Sequence, residues 1–215
     1  MAVKRNTLVH RGRNFTKADI YECEFHGRKA ILKDYGSRNN FVSRNLGKWF
    51  AGREFSIYQK LRGISGIAES LGSPDAFSFV IEYTEGKPLP DLDAKLITSS
   101  VFNSLRETIE TIHGKGIACG DIHHRDILVT GDGRSYLVDF ATGWEKGSRY
   151  NIIRNIIFHS LCCLDWLAFY RIRERYLGIP PSMDEKNDFS SIIPLYSLGR
   201  ALKKMFDLLR GKEIR

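Results

Sequence analysis

Polar and apolar residues alternate between Ile20 and Phe25, with Tyr21, Cys23 and Phe25 on one side and Ile20, Glu22 and Glu24 on the other. A period of two is that of a half-buried strand. His26-Gly27-Arg28 then makes a tight turn into a second run, Lys29 to Tyr35, which predicts a hairpin. Thr7-Leu8-Val9 is a further short strand, and Phe77 to Tyr83 another, ended by the break Thr84-Glu85-Gly86-Lys87-Pro88. Between these strands, Phe50, Ile57, Tyr58 and Leu61 fall on one helical stripe, which predicts a helix over about 48–62. Glu54 lies on the same stripe. A carboxylate on an inward face is costly unless paired, so Glu54 asks for a cation from another element.

Beyond residue 85 the pattern turns helical. Val101, Phe102, Leu105, Ile109 and Ile112 mark a helix from Ser99 to His113, ended by Gly114 and Gly116. Two short β runs follow, Ile127-Leu128-Val129 and Tyr136-Leu137-Val138, joined by the turn Thr130-Gly131-Asp132-Gly133-Arg134. Further helices are predicted at about 150–177 and 195–210, separated by a loop around Pro180-Pro181. The order of elements predicts an α+β fold in two lobes: a small β-rich one over 1–84 and a mainly helical one over 85–215.

Charge sharpens this picture. The net +8 of the 215 residues is unevenly placed: residues 1–62 hold 14 Lys and Arg against 5 Asp and Glu, net +9, leaving the remainder near neutrality. Such asymmetry points to an anionic partner, whether phosphate, nucleic acid or a membrane surface. The four cysteines show neither CxxC spacing nor a disulfide framework, which argues against zinc and a secreted scaffold. No signal peptide is evident, and the most apolar stretch, Ile152 to Tyr170, is interrupted by Arg154, Asn155, His159 and Asp165. A membrane span is therefore not expected, and a soluble, cytoplasmic location is.

The stretch richest in chemistry is Gly120-Asp121-Ile122-His123-His124-Arg125-Asp126-Ile127-Leu128-Val129, followed by Val138-Asp139-Phe140-Ala141. Asp121, Asp126 and Asp139 each stand at the margin of a short β run, where side chains emerge into a cleft. Converging carboxylates need a cation, and hard oxygen ligands suit Mg²⁺. This arrangement resembles the protein-kinase-like superfamily, in which a catalytic-loop Asp is followed by a metal-binding Asn and, after a hairpin, by Asp-Phe-Gly. The interval of 18 residues from Asp121 to Asp139 is the one such kinases show. The literal string His124-Arg125-Asp126 is a decoy, because in that frame the metal-binding Asn would fall on Gly131. With Asp121 as reference, the loop is most similar to the His-Gly-Asp-Leu-His-x-x-Asn-Ile-Leu of small-molecule and lipopolysaccharide-core sugar kinases, and His123 takes the place of the second His. RIO- and Bud32-type kinases are more distant in pattern.

The resemblance covers about residues 7–145 and implies ATP and Mg²⁺ as cofactors. It implies Asp121 as the catalytic base, and Asp126 and Asp139 as metal ligands. Ala30-Ile31-Leu32-Lys33 resembles the Val-Ala-Ile-Lys strand, which implies Lys33 on the α/β-phosphates with Glu54 as its helix partner. Val80-Ile81-Glu82-Tyr83 resembles the hinge, whose backbone would meet adenine. The phosphate loop, His10 to Asp19, has only Gly12, with Arg11, Arg13 and Lys17 supplying charge instead. Three positions depart from the pattern: Cys119 replaces the His before Gly-Asp, Asp126 the Asn, and Ala141 the last Gly. These leave a nucleotide-binding pseudokinase open beside an active enzyme.

The acceptor implied is a sugar or lipid-linked sugar hydroxyl, with a RIO- or Bud32-like protein kinase as the alternative. The segment Gly36–Arg53 interleaves Arg38, Arg44, Lys48 and Arg53 with Phe41, Trp49 and Phe50, which suits peripheral contact with an anionic inner-membrane surface. The basic stretch around Leu198 to Arg210 is read as packing against the helical part. No nucleic-acid-binding module is present.

Overall fold

The computed structural model describes residues 3–12, 17–36 and 41–185; the expected helix at 195–210 lies outside them. The N-terminal sheet is built from β1 (Lys4–His10), β2 (Asp19–Phe25), β3 (Arg28–Asp34), β4 (Ser70–Asp75) and β5 (Ser78–Glu82). It is antiparallel throughout, in the order β1-β2-β3-β5-β4. The turn between β2 and β3 has positive φ at both His26 and Gly27, the geometry that lets a two-residue connection follow the strand twist.

Side chains alternate across this sheet as the period of two requires. Cys23, Ala30, Leu32 and Val80 close a small cluster on one face. Phe79 and Ile81 face the main core, and their register partners on β3 are Lys33 and Ile31. Lys33 is thereby delivered into the protein interior, on the side where the long helix packs.

That helix, α1 (Phe41–Lys60), starts about seven residues before the position expected from its apolar stripe. Gly47 looks like a helix breaker in the sequence, yet it is a packing residue. A Cβ there would meet the Tyr35 carbonyl oxygen at 2.6 Å, so glycine lets the helix pass close under the end of β3. Ala51, Glu54, Ile57 and Tyr58 form its buried stripe, continued by Leu61 just past its end.

Four short strands, β4, Gly86–Pro88, Ile117–Ala118 and Trp144–Glu145, differ from the sequence expectation. β4 carries Gly72 and Pro74 and sits at the sheet edge, with register shifts against β5; its sequence reads as a loop because an edge strand needs few ladder bonds. Gly86–Pro88, expected to be a break, is strand β6, paired with Leu128–Thr130. The three-stranded sheet β6-β8-β9 contains the predicted hairpin, β8 (Ile127–Thr130) and β9 (Ser135–Leu137). A ribbon joins β7 (Ile117–Ala118) to β10 (Trp144–Glu145). Helices α2 (Ser99–Gly114) and α3 (Ile152–Leu177) complete the fold. The main core runs from Ala18 and Tyr35 through Tyr58, Phe79 and Ile109 to Phe169 and Ile172.

Candidate functional site

Glu54 finds its cation in Lys33. The two are buried and meet at 2.5 Å, and Lys33 Nζ also donates to the Val138 carbonyl at 2.8 Å. The second carboxylate oxygen of Glu54 accepts from the Tyr35 hydroxyl, and Oε1 also accepts the Phe140 amide at 3.2 Å. Burial works against the Lys33 ammonium, but Glu54 outweighs it and its pKa stands well above the ordinary lysine value. Burial beside Glu54 likewise pushes the Tyr35 hydroxyl up. The ammonium, the carboxylate and the backbone at Val138–Phe140 are thus fixed to one another.

The three aspartates come together as the sequence spacing implies. Asp126 closes a 3-10 turn over His124–Asp126, directly before β8. The Val138 amide, just after β9, donates to the Asp126 carbonyl at 3.1 Å, which ties the two strand margins together. Burial raises the Asp126 carboxyl to about 6, with Asp139 and Asp121 adding to the shift. Asp139 is half-buried too; burial opposes its charge, but Lys33 and Lys17 hold it below the usual carboxylate range. Asp121 is exposed, and no hydrogen bond engages its side chain among the described residues. An unengaged carboxylate facing solvent next to two acids is free to meet an incoming hydroxyl.

Lys17 is the unexpected member. Its ammonium lies 2.7 Å from Asp139 Oδ2. Burial lowers its pKa, while Asp139, Asp126 and Asp121 raise it, and the net shift is upward. Its loop is held by Asp19, whose carboxylate accepts the Gly12 amide at 2.8 Å. Gly12 has no room for a side chain, since a Cβ would lie 2.3 Å from the Lys17 carbonyl oxygen. Gly12 thus packs directly against Lys17, whose ammonium is aimed at the aspartates.

In the sequence, Asp165 is an interruption of an apolar run. It is fully buried on α3 and accepts the amides of Cys119 and Gly120, each at 2.8 Å, and meets His113 Nε2 at 2.9 Å. Gly120 has φ +83°, and a Cβ there would approach the Thr142 carbonyl oxygen to 3.0 Å, so the residue before Asp121 must be glycine. Cys119 is buried, which pushes its thiol well up. Its carbonyl accepts the Thr142 hydroxyl at 2.9 Å. Arg53 adds a second clamp, donating to the Ala141 and Gly143 carbonyls at 2.9 and 2.8 Å. The signal for Asp165 was the one that exposed Glu54, an acid on the buried stripe of a helix.

Other expectations fare differently. The Glu82 amide donates to the Glu69 carbonyl at 2.8 Å and its side chain is exposed, so that amide is already engaged and does not offer itself to a base edge. Arg11 is exposed at the start of the loop. Arg13 lies outside the described residues, as does Arg38. Of the basic-aromatic segment, Phe50 stacks on Tyr35 and Arg53 is consumed by the Ala141 and Gly143 carbonyls, while Trp49 is exposed.

No group of three or more metal-ligating side chains occurs among the described residues. Two carboxylates, Asp126 and Asp139, are nevertheless a set that fits Mg²⁺, which binds through one or two carboxylates and completes its shell with phosphate and water. The Lys17 ammonium on Asp139 shows that the position attracts a cation.

No protein-family model matches the chain, and no curated protein does. Among solved structures, the Rio2 kinase–ADP/Mg²⁺–phosphoaspartate complex from Chaetomium thermophilum superimposes with a TM-score of 0.62 at 15 % identity, covering 89 % of this chain and 62 % of that one. Another Rio2 kinase structure from the same organism gives 0.62 at 16 % identity, over 87 % and 63 % of the two chains. The fold is protein-kinase-like. At this identity the likeness concerns architecture, and the chain spans less than two thirds of the Rio2 chains it matches. Within that kinase-like fold, the Lys33–Glu54 pair joins the N-terminal sheet to α1, and the three aspartates gather around the β8–β9 hairpin.

Proposed function

We infer that the protein is a Mg²⁺- and ATP-dependent phosphotransferase acting on a hydroxyl. One observation carries this reading: a buried, glutamate-fixed ammonium, the Asp139 carboxylate and the Asp126 carbonyl are tied to the same few residues of backbone, Val138 to Ala141, with the exposed Asp121 carboxylate close enough to act on Asp126. Lys33 presents positive charge that neutralises phosphate on the nucleotide. Asp126 and Asp139 supply the oxygen ligands for Mg²⁺, which when bound offsets the charge of the transferred phosphoryl group. Asp121 orients the acceptor hydroxyl and takes its proton, help worth roughly 10²–10⁴-fold. Asp165 and Gly120 hold Asp121 in place, and Lys17 leaves Asp139 for the phosphates as nucleotide enters.

For the acceptor, the Gly120-Asp121-Ile122-His123 pattern supports a sugar hydroxyl, in a lipopolysaccharide core or a related glycan. The architecture shared with Rio2 supports a RIO-like protein kinase more directly. The Rio2 complex contains a phosphoaspartate, so by that likeness a hydroxylamine-labile phosphate on this chain would favour the RIO-like reading. The test is transfer of labelled phosphate from Mg-ATP in the presence of core oligosaccharide and of protein acceptors. Loss of transfer in Asp121→Asn and Asp139→Asn is expected. Wild-type single-turnover rates in both variants would remove the mechanism, and nucleotide binding without any turnover would make the protein a pseudokinase.

A further inference from the structure

The turn after Asp121 carries basic side chains that the proposed chemistry does not use. His123, His124 and Arg125 occupy it, between the proposed base and the proposed metal ligand Asp126. His123 Nδ1 accepts the Arg125 amide at 3.3 Å, and the His123 and His124 rings meet edge to face with centroids 4.4 Å apart. The end of α3 packs on the same turn, where the Tyr176 hydroxyl shares a hydrogen bond of 2.7 Å with His124 Nδ1. Nε2 of that ring has no hydrogen bond among the described residues. Arg175 comes with Tyr176, its guanidinium carbon 5.8 Å from the Tyr176 ring centroid.

Electrically the turn has two sides. The strongest charges acting on Asp126 are those of Asp139, Lys17, Lys33 and Asp121, whereas His123, Arg175 and Arg125 act on His124. One side is therefore the metal-facing side, and the other is cationic. Arg125 and Arg175 are exposed and make no ion pair among the described residues. Glu185, at the same end of α3, is taken up by Arg173 at 2.8 Å and by Arg106 at 3.5 Å. Glu174 stands about 200° around the helix from Tyr176 and so lies away from the face that meets the turn. Two guanidinium groups beside an imidazole, with no carboxylate paired to them, are a donor set suited to phosphate, which arginine grips through paired N–H groups.

We propose that His124, Arg125 and Arg175 form a subsite for a phosphomonoester that the acceptor already carries. The cations assigned to the nucleotide, Lys33 and Lys17, belong to the Asp139 side of the turn, so a phosphate on the opposite side belongs to a different molecule. Asp121 and Arg125 share one short stretch of chain. A group held by Arg125 thus brings the rest of its molecule to the exposed Asp121 carboxylate. The consequence is selectivity: a phosphorylated acceptor is preferred to the same molecule without its phosphate. The word acceptor rests on the phosphotransfer reading above, whereas phosphate binding at this turn needs neither nucleotide nor turnover.

The experiment is an NMR titration of the full chain with inorganic phosphate, free of nucleotide and metal, at fixed pH and ionic strength. The Nε–H signals of Arg125 and Arg175 and the His124 amide are expected to move together and to saturate. Arg125→Gln/Arg175→Gln, at two exposed positions, should weaken binding by about tenfold or more with an unchanged melting temperature, whereas Lys115→Gln should bind as wild type. Glucose 6-phosphate and O-phosphoserine should produce the same shifts, and glucose and serine none. Whichever ester binds more tightly names a sugar or a protein as the source of the phosphate. Absent shifts, shifts confined to Gly12 and Lys33, or equal binding by the double variant (an adventitious ion only) would each overturn the proposal. Binding of inorganic phosphate but of neither ester would overturn the assignment to an acceptor. Wild-type rates in Asp121→Asn and Asp139→Asn would remove the phosphotransfer reading instead, and the titration reports on the phosphate site in either case.

Discussion

Lys17 Nζ stands 2.7 Å from Asp139 Oδ2, so a side chain from the loop above the site occupies the carboxylate proposed to hold metal. Cation and lysine compete for the same oxygen. Lys17→Ala is expected to bind Mg²⁺ several-fold more tightly in the absence of nucleotide, measured by calorimetry. Because Lys17 is 43 % exposed, the gain is modest and shrinks with salt. Unchanged affinity would show that the contact does not guard the site.

Asp126 makes the site pH-sensitive in the metal-free protein. Its carboxyl is raised to about 6, first by burial and then by Asp139, so the folded protein binds a proton more readily than the unfolded chain. Between pH 4 and 6 the linkage therefore runs toward greater stability as pH falls, and the charged Asp126 weakens the fold above that window. Asp126→Asn should raise stability at pH 7.5 by about 1–3 kcal/mol, with the advantage fading as pH falls to 4. Thermal unfolding of both proteins across that range in chelator is the measurement.

Asp121, Asp126 and Asp139 stand out in the sequence, because three aspartates at the ends of short β runs are a dense local signal. The Lys33–Glu54 pairing was legible for a different reason: an acid on an apolar stripe has to be answered. Asp165 carried the same signal inside α3, but the run around it drew attention to membrane hydropathy instead. Lys17 stands out in the sequence only as one of the charges of the His10–Asp19 segment, with nothing that points to Asp139. Its approach to Asp139, 122 residues away in the sequence, goes with the close packing of Gly12 against the Lys17 carbonyl. β4 and β6 escaped notice because their pairing is contributed by neighbours, with little propensity of their own.

The buried Lys33–Glu54 pair predicts non-additivity. Lys33→Met alone leaves Glu54 charged in the interior, and Glu54→Gln alone leaves the ammonium; each is expected to cost about 3–5 kcal/mol. The double variant should recover much of that loss, since neither charge remains. Urea denaturation of the three variants checks this, and additive losses would mean that the two side chains stabilise the fold independently.

Asp165→Asn tests the anchor of the Cys119–Asp121 segment. The amide keeps the volume but loses the charge-assisted bonds to the Cys119 and Gly120 amides and turns one donor toward another. A loss of about 2–4 kcal/mol in stability is expected, with faster amide exchange at Gly120 and no change at the β2–β3 hairpin. Unaltered exchange at Gly120 would show that the loop is held from elsewhere.

Helix α1 touches the segment after β9 at four successive points: the Tyr58 hydroxyl donates to the Val138 carbonyl at 2.7 Å, Glu54 accepts the Phe140 amide, and Arg53 spans the Ala141 and Gly143 carbonyls. All four bonds come from the stretch Arg53–Tyr58, so this part of α1 is tied to the segment after β9. Any on–off control exerted by displacing α1 would have to break these bonds together, along with the Lys33 contact. The pieces of the proposed site are therefore bonded to one another without any ligand, and the exposed contact between Lys17 and Asp139 is the one a cation or phosphate can displace at least cost.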